Sequence, residues 1–293
     1  MGAGLWLILL GYAAAGVVGY LGARAGALSR SGGVAACVVG GTIFGFGGLE
    51  WAALLVLFFV SSSVLSFYKA SDLRKKRAAE AFEKGGRRDA AQVLANGGVA
   101  ALLAFLSYFA GSELRPLLFA AFAGTLAAAT ADTWATEIGV LSSSPPRLLT
   151  TGRVVDAGTS GAVTWMGSMA TAGGALLMAL GAALLTSLEL RDQPSLMMAA
   201  RALPLLAAVF VGGITGALAD SFLGATVQAG YRCRRCDKPT ESRVHNCGSP
   251  THLVRGVAWV NNDLVNASAT VTGAAVAGLL WSFISGSITQ LLR

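Results

Sequence analysis

The chain has 293 residues, of which 54% are hydrophobic and only 13% charged, with a net charge of +7 and a mean hydropathy of +0.63. Soluble domains carry about 25% charged residues, so the polar surface here is too small to coat a water-soluble globule. The apolar runs are continuous rather than alternating, which disfavours a transmembrane β-barrel, and the many glycines and alanines suit helices that associate in lipid through small residues.

In chain order, apolar segments fall near 3–21, 33–48, 50–68, 93–110, 116–139, 161–186, 203–228 and 264–285. A helix needs roughly 20 residues to cross a bilayer. The pattern predicts an all-α fold: a polytopic transmembrane helical bundle of about eight helices, forming a single integral membrane domain over residues 1–293 with no internal repeat. No Lys or Arg precedes Arg24, so the first segment reads as a helix rather than a cleaved signal. No transit segment rich in Ser and Arg is visible, which points to a prokaryotic inner membrane or to a trimmed plastid chain of envelope or thylakoid. The second segment is short and crowded by Gly40, Gly41, Gly45, Gly47 and Gly48; its Cys37 reads as packing.

Lys and Arg concentrate in cytoplasmic loops. With the N-terminus outside, only Arg115, Arg191, Arg201 and Arg293 of the 22 cations lie outside, and the other eighteen lie inside. Both termini are therefore expected outside, with cytoplasmic loops at 69–92, 140–160 and 229–260. Arg74 to Arg77 read as one solvated face that marks topology and attracts anionic headgroups.

The first loop ends in Lys84-Gly85-Gly86-Arg87-Arg88-Asp89. The glycines break the preceding helix, and a new one is expected to start near Arg87. A helix start offers free N–H groups and a positive dipole end, an anion site that Lys84, Arg87 and Arg88 would reinforce. Asn96 follows Asp89 by seven residues on the same face, extending a polar stripe toward the bilayer. In the second loop, Arg153 is suited to phosphate oxygens, while Thr159 and Ser160, between Gly158 and Gly161, are candidates to cap the sixth helix.

Asp132, Thr136 and Glu137 lie at the cytoplasmic end of the fifth helix, Asp220 and Ser221 within the seventh, and Asn262, Asp263 and Asn266 at the start of the eighth. A carboxylate at a helix centre costs about 2.5–3.5 kcal/mol on insertion scales, which marks such groups as functional. Gly213, Gly216, Asp220 and Gly224 share one helix face, allowing a neighbour close to the carboxylate. Glu137 lies about 140° round the helix from Asp132, so one carboxylate faces a site and the other braces a neighbour. Carboxylates and Asn side chains opposite basic, glycine-rich loops form a hard-oxygen set suited to Mg²⁺ and substrate phosphates. Phosphoryl transfer relies on such positioning and charge neutralisation more than on covalent catalysis. The same acids also admit an ion-coupled transporter or lipid-carrier flippase. In the third loop, Cys233, Cys236, His245 and Cys247 have the spacing of a structural Zn²⁺ site.

Taken together, Lys84 to Asp89 with Gln92 to Gly98, Asp132 to Gly139, Thr151 to Arg153 with Gly158 to Gly161, Gly216 with Asp220-Ser221 and Gly224-Ala225, and Asn261 to Asn266 carry a resemblance. The chain resembles the membrane-protein family that includes the plant phytyl-phosphate kinase of vitamin E synthesis and animal transmembrane protein 19. It departs from that pattern at Val155-Asp156 and Ala162. The resemblance implies a Mg²⁺-dependent transfer of phosphoryl from a nucleoside triphosphate, CTP favoured, to a prenyl monophosphate lipid. Asp132, Glu137, Asp220 and Asp263 would then bind Mg²⁺, assisted by Asn262 and Asn266. Lys84, Arg87, Arg88 and Arg153 would neutralise phosphates, and Gly85, Gly86, Asp89, Asn96, Thr136, Thr159, Ser160 and Ser221 would complete the substrate and nucleotide site. The prenyl tail would lie among the helices and membrane lipids; no nucleic-acid partner is expected.

Overall fold

A chain in hydrocarbon must pair every backbone N–H and C=O internally, and for long apolar runs the helix is the solution. The structure, a computed structural model, describes residues 2–79 and 87–291. Its helices are α1 (Gly2–Arg24), α2 (Arg30–Thr42), α3 (Leu49–Phe67), α4 (Leu73–Ala79), α5 (Ala90–Phe109), α6 (Arg115–Gly139), α7 (Trp165–Glu189), α8 (Ser195–Thr226) and α9 (Asn262–Leu291). Among the described residues, seven are long and apolar enough to cross a membrane, all but α2 and α4.

The segment expected at 33–48 is split. Its α-helix ends at Thr42, and a π-helical turn, Ile43–Gly47, carries the chain on to Gly48. Even so it runs the height of the bundle. At its start Gly32 lies against the Arg88 carbonyl, and at its far end the Gly47 carbonyl accepts a hydrogen bond from Arg115 Nη2 (3.0 Å). Eight elements therefore alternate in direction, and α1 begins at the end opposite Arg88, where Gly4 approaches the Tyr108 hydroxyl. Trp6, Leu203, Leu279 and Phe283 point outward and are largely exposed, as a lipid-facing surface requires.

Helix α6 is the axis, with α3, α5, α7, α8 and α9 packed around it. Its Ala120, Phe122, Ala123, Leu126, Ala127, Ala128 and Ala131 are fully buried, and Trp51 of α3 lies on Phe122 with ring centroids 4.5 Å apart. Backbones meet where glycines allow it. A β-carbon at Gly124 would stand 2.4 Å from the Gly273 carbonyl oxygen, and one at Gly216 would stand 2.4 Å from Ala128 Cβ. The glycine face foreseen on the Asp220 helix thus does press against its neighbours.

The three polar loops carry small elements. Helix α4 is docked rather than solvated: the Lys75 side chain is only 9% exposed, its Nζ donating to the Leu65 carbonyl (2.8 Å) and pairing with Glu137 (2.7 Å). Arg74 reaches the Leu141 carbonyl. This corrects the reading of Arg74 to Arg77 as one solvated face. In the second loop β1 (Arg147–Leu148) pairs antiparallel with β2 (Ala162–Val163). The third loop is an antiparallel ribbon of β3 (Gly230–Cys233), β4 (Pro239–Thr240) and β5 (Thr251–Arg255), in the order β4-β3-β5.

Two outcomes follow for stability in detergent. Gly124→Leu overpacks the α6–α9 contact and is expected to cost about 1–3 kcal/mol, seen as a lower thermal midpoint. Lys75→Ala strips Glu137 of its ammonium partner at a cost of roughly 1–3 kcal/mol. The double change Lys75→Met with Glu137→Leu should recover most of that loss; a single variant no less stable than the double one removes the bracing role.

Candidate functional site

The start of α5 is set by Asp89. Its carboxylate accepts from the Gln92 backbone N–H (2.9 Å), and the Gln92 side chain accepts from the Asp89 N–H (3.2 Å), a reciprocal capping box. The helix therefore begins at Ala90 rather than near Arg87, and Asp89 is engaged in capping. Arg88 sits just before the cap. Its N–H donates to the Ala27 carbonyl (3.1 Å) and its carbonyl accepts from Ser29 (2.9 Å), so the α1–α2 connection fixes its backbone. The guanidinium lies over the Phe58 ring, 5.8 Å from the centroid. Burial pulls its pKa below the ordinary value, and the nearby charge of Glu137 opposes that shift.

Arg88 lines a cavity of about 410 Å³ at the cytoplasmic end of the bundle. Asn96 joins it from α5; Asp132, Thr136 and Glu137 from α6; Thr159 and Ser160 from the second loop; Asp220 and Ser221 from α8; Asn262 and Asn266 from α9. Segments far apart in sequence thus converge as anticipated. Arg87, Asp89, Arg153 and Asp263 do not line it. Arg87 and Arg153 are exposed, and the Arg153 carbonyl serves the second loop by accepting from Leu148 (2.9 Å). Asp263 sits in the first turn of α9, where the Asn261 side chain accepts from the Leu264 N–H (3.1 Å). Lys84, Gly85 and Gly86 lie outside the described residues.

The centre of the cavity is a pair of acids. Asp132 and Asp220 face each other across the α6–α8 contact, close enough for a direct side-chain hydrogen bond, and Asp220 Oδ2 is buried with no hydrogen-bond partner among the described residues. Two ionised carboxylates in that position repel, and a cation between them removes the penalty. A buried oxygen without a donor is the vacancy that a hard-oxygen ligand set presents to Mg²⁺, so these residues fit that ion. Glu137 lines the same cavity with its carboxylate held by Lys75. Both acids of α6 therefore line the cavity, and Glu137 is in addition braced by Lys75.

The second loop differs from expectation in one respect. Helix α7 starts at Trp165 and is capped by Thr164, whose Oγ1 accepts from the Gly167 N–H (3.0 Å), not by Thr159 or Ser160. The small β1–β2 pairing takes up the residues between. Gly161 has φ +76, and a β-carbon there would stand 2.3 Å from the Ala225 backbone nitrogen, so the loop rests directly on α8. Ser160 is freed from capping and donates to Glu241.

Glu241 and Gln228 were not foreseen. Both line the cavity, and Gln228 Nε2 donates to Glu241 Oε1 (2.9 Å) from a side chain that is 2% exposed. The one signal for Glu241 in the sequence is an acid placed between Cys236 and His245, in a stretch whose cysteines dominate its reading. On the same ribbon the side-chain donor atoms of Cys233, Cys236, His245 and Cys247 all lie within 4.8 Å of one another. The Cys233 and Cys247 sulfurs are 3.6 Å apart, and Cys236 Sγ is 3.4 Å from His245 Nδ1. The Cys236 backbone N–H, aided by that of Arg235, draws the Cys233 thiol down to about 7. Three sulfurs and an imidazole at this separation fit a closed tetrahedral Zn²⁺ shell, with no position open for chemistry.

On the α7–α8 side Ala172, Ile214, Ala217 and Leu218 add apolar lining beside Ser168 and Thr171, and Leu218 is 47% exposed.

The sequence profile of the integral membrane protein family DUF92 matches residues 13–274. The chain is 33% identical over 255 residues to Protein PGR of Arabidopsis thaliana, covering 82% of this chain and 84% of that one. It is 29% identical to an uncharacterized membrane protein of Methanocaldococcus jannaschii, over 87% of this chain and 86% of the relative. It is 26% identical to Protein VTE6, chloroplastic, of Arabidopsis thaliana, over 88% of this chain and 66% of that protein. No solved structure matches the chain. With a match that covers most of its length, the chain belongs to the integral membrane protein family DUF92.

Proposed function

We propose that this protein is a prenyl monophosphate kinase, transferring the terminal phosphoryl group of a nucleoside triphosphate to a prenyl monophosphate to give the prenyl diphosphate. The observation that carries the reading is the Asp132–Asp220 pair, with its orphaned Oδ2, in a cavity that Arg88 also lines and to which Ile214, Ala217 and Leu218 add apolar side chains. Polar and apolar side chains in one cavity suit an acceptor with a charged head group and an apolar tail. The resemblance to the family of the plant phytyl-phosphate kinase supports the same acceptor class.

In this reading a phosphate oxygen of the prenyl monophosphate attacks the terminal phosphorus of the nucleotide. A new P–O bond forms as the bond to the bridging oxygen breaks, and the nucleoside diphosphate leaves with that electron pair. Asp132 and Asp220 would hold Mg²⁺, which would supply positive charge against the phosphate oxygens. Arg88 contributes a fixed cation against the same oxygens, preorganised by its pinned backbone. Asn96, Asn262 and Asn266 offer amide donors and acceptors that orient phosphates without adding charge. In this reading the tail would lie against Ile214, Ala217 and Leu218 of α8, so the acceptor would not have to leave the membrane.

The test is purified protein in detergent or nanodiscs with Mg²⁺, CTP or ATP, and phytyl, geranylgeranyl and farnesyl monophosphates, assayed for the diphosphate. Absence of product across the panel overturns the reading. Asp132→Asn and Asp220→Asn each keep side-chain volume but lose the charge, and are expected to reduce turnover roughly a thousand-fold, equivalent to several kcal/mol, with thermal midpoints unchanged. Arg88→Ala should raise the nucleotide concentration needed for half-maximal rate by roughly 10- to 150-fold, the worth of a charge-assisted hydrogen bond.

A further inference from the structure

The ribbon of β3, β4 and β5 is too small to hold its own shape by burial. Its strands are 4, 2 and 5 residues long, and a two- or three-stranded ribbon without an apolar face is marginal in water. The Cys–His cluster stands at the point where it needs support. Cys233 ends β3, Cys236 lies in the turn to β4, and His245 and Cys247 lie in the return to β5. The register pairs Tyr231 with Thr240, so Glu241, the next residue, takes its position from the turn that the cluster would clamp. From there Glu241 reaches the cavity, accepts hydrogen bonds from Ser160 and Gln228, and stands near enough to Asp220 for their charges to interact. At the end of β5, Arg255 adds a second tie by donating to the Ser160 carbonyl (3.4 Å).

We propose that a zinc ion bound by Cys233, Cys236, His245 and Cys247 fixes this ribbon so that Glu241 becomes the third carboxylate of the Mg²⁺ site formed by Asp132 and Asp220. The two metals then have separate ligand chemistry, soft on the ribbon and hard in the cavity, and are linked through β4 and Glu241. The inference rests on the cation site of the proposed function but not on the identity of the phosphoryl acceptor. Glu241 carries no zinc-ligating role, and the zinc takes no part in bond making.

The experiment uses the full chain in detergent, with Co²⁺ introduced in place of Zn²⁺ and Mn²⁺ as the probe of the cavity, without nucleotide or lipid. About one cobalt per chain with thiolate-to-metal absorption is expected, and Cys236→Ser and Cys247→Ser should lose it. Glu241→Gln should leave the cobalt spectrum unchanged while weakening Mn²⁺ binding roughly ten-fold, the size of a lost metal-supporting contact. Stripping the soft metal should weaken Mn²⁺ binding by a similar factor. Stripping the Glu241→Gln variant should add little, because both changes remove the same contribution. A cobalt-loaded protein without thiolate bands overturns the proposal. So does Mn²⁺ affinity that is indifferent to Glu241→Gln or to stripping, or losses that simply multiply. If stripping lowers the thermal midpoint below the assay temperature, Glu241→Gln decides the assignment on metal-loaded protein. Coupling of the two metals without turnover on any prenyl phosphate would retain the inference and remove the kinase reading; turnover without coupling would do the reverse.

Discussion

Two carboxylates side by side at the end of a membrane bundle impose most of what surrounds them. Asp132 and Asp220 reach each other because α6 and α8 lie close, and they lie close because Gly216 meets Ala128 and Gly213 meets Ala127 without intervening side chains. In hydrocarbon no water-driven force brings helices together, so small residues must supply that approach. Holding both acids ionised there is costly, and Arg88, lining the same cavity, brings positive charge to that end of the bundle. The glycine packing and the acids are therefore one arrangement. Loosening the first separates the second.

The polar loops answer a different demand. The bundle delivers acids, amides and apolar lining, but the cavity still needs a wall on the side facing water. That wall is assembled from the 158–161 turn and the ribbon, with Ser160 and Gln228 both donating to Glu241 across it. Helix α4 performs a similar task on the other side through Lys75, whose bond to Glu137 ties the first loop to α6. Each of the three polar loops thus contributes a polar side chain to the same end of the bundle.

Much of this was legible in the sequence, for identifiable reasons. Helix number and direction follow from apolar length and cation placement, signals that the bilayer itself enforces. Asp132, Asp220, Asn96, Asn262 and Asn266 were found because polar groups in apolar helices are rare enough to stand out. Glu241 was not, since a glutamate in a polar loop is ordinary and only the fold reveals what it touches. Capping was misplaced for a related reason. Thr159, Ser160 and Thr164 are all competent caps, and the choice fell to Thr164 once the preceding residues paired as strands. Asp89 was read as part of a phosphate site, whereas a side chain beside a helix start satisfies the free N–H groups first.

The contact of Gly161 with α8 has a consequence for how this site can vary. The neighbour of Gly161 is peptide backbone, so no exchange of residue type at Ala225 could make room for a larger group there. Any accommodation has to displace α8 as a body, and Asp220 rides on that helix little more than one turn away. The gauge of the cavity mouth and the spacing of the acid pair are consequently locked together. The ribbon is held to the same helix in the same way, since a β-carbon at Gly256, just after β5, would stand 2.1 Å from the Gln228 carbonyl oxygen.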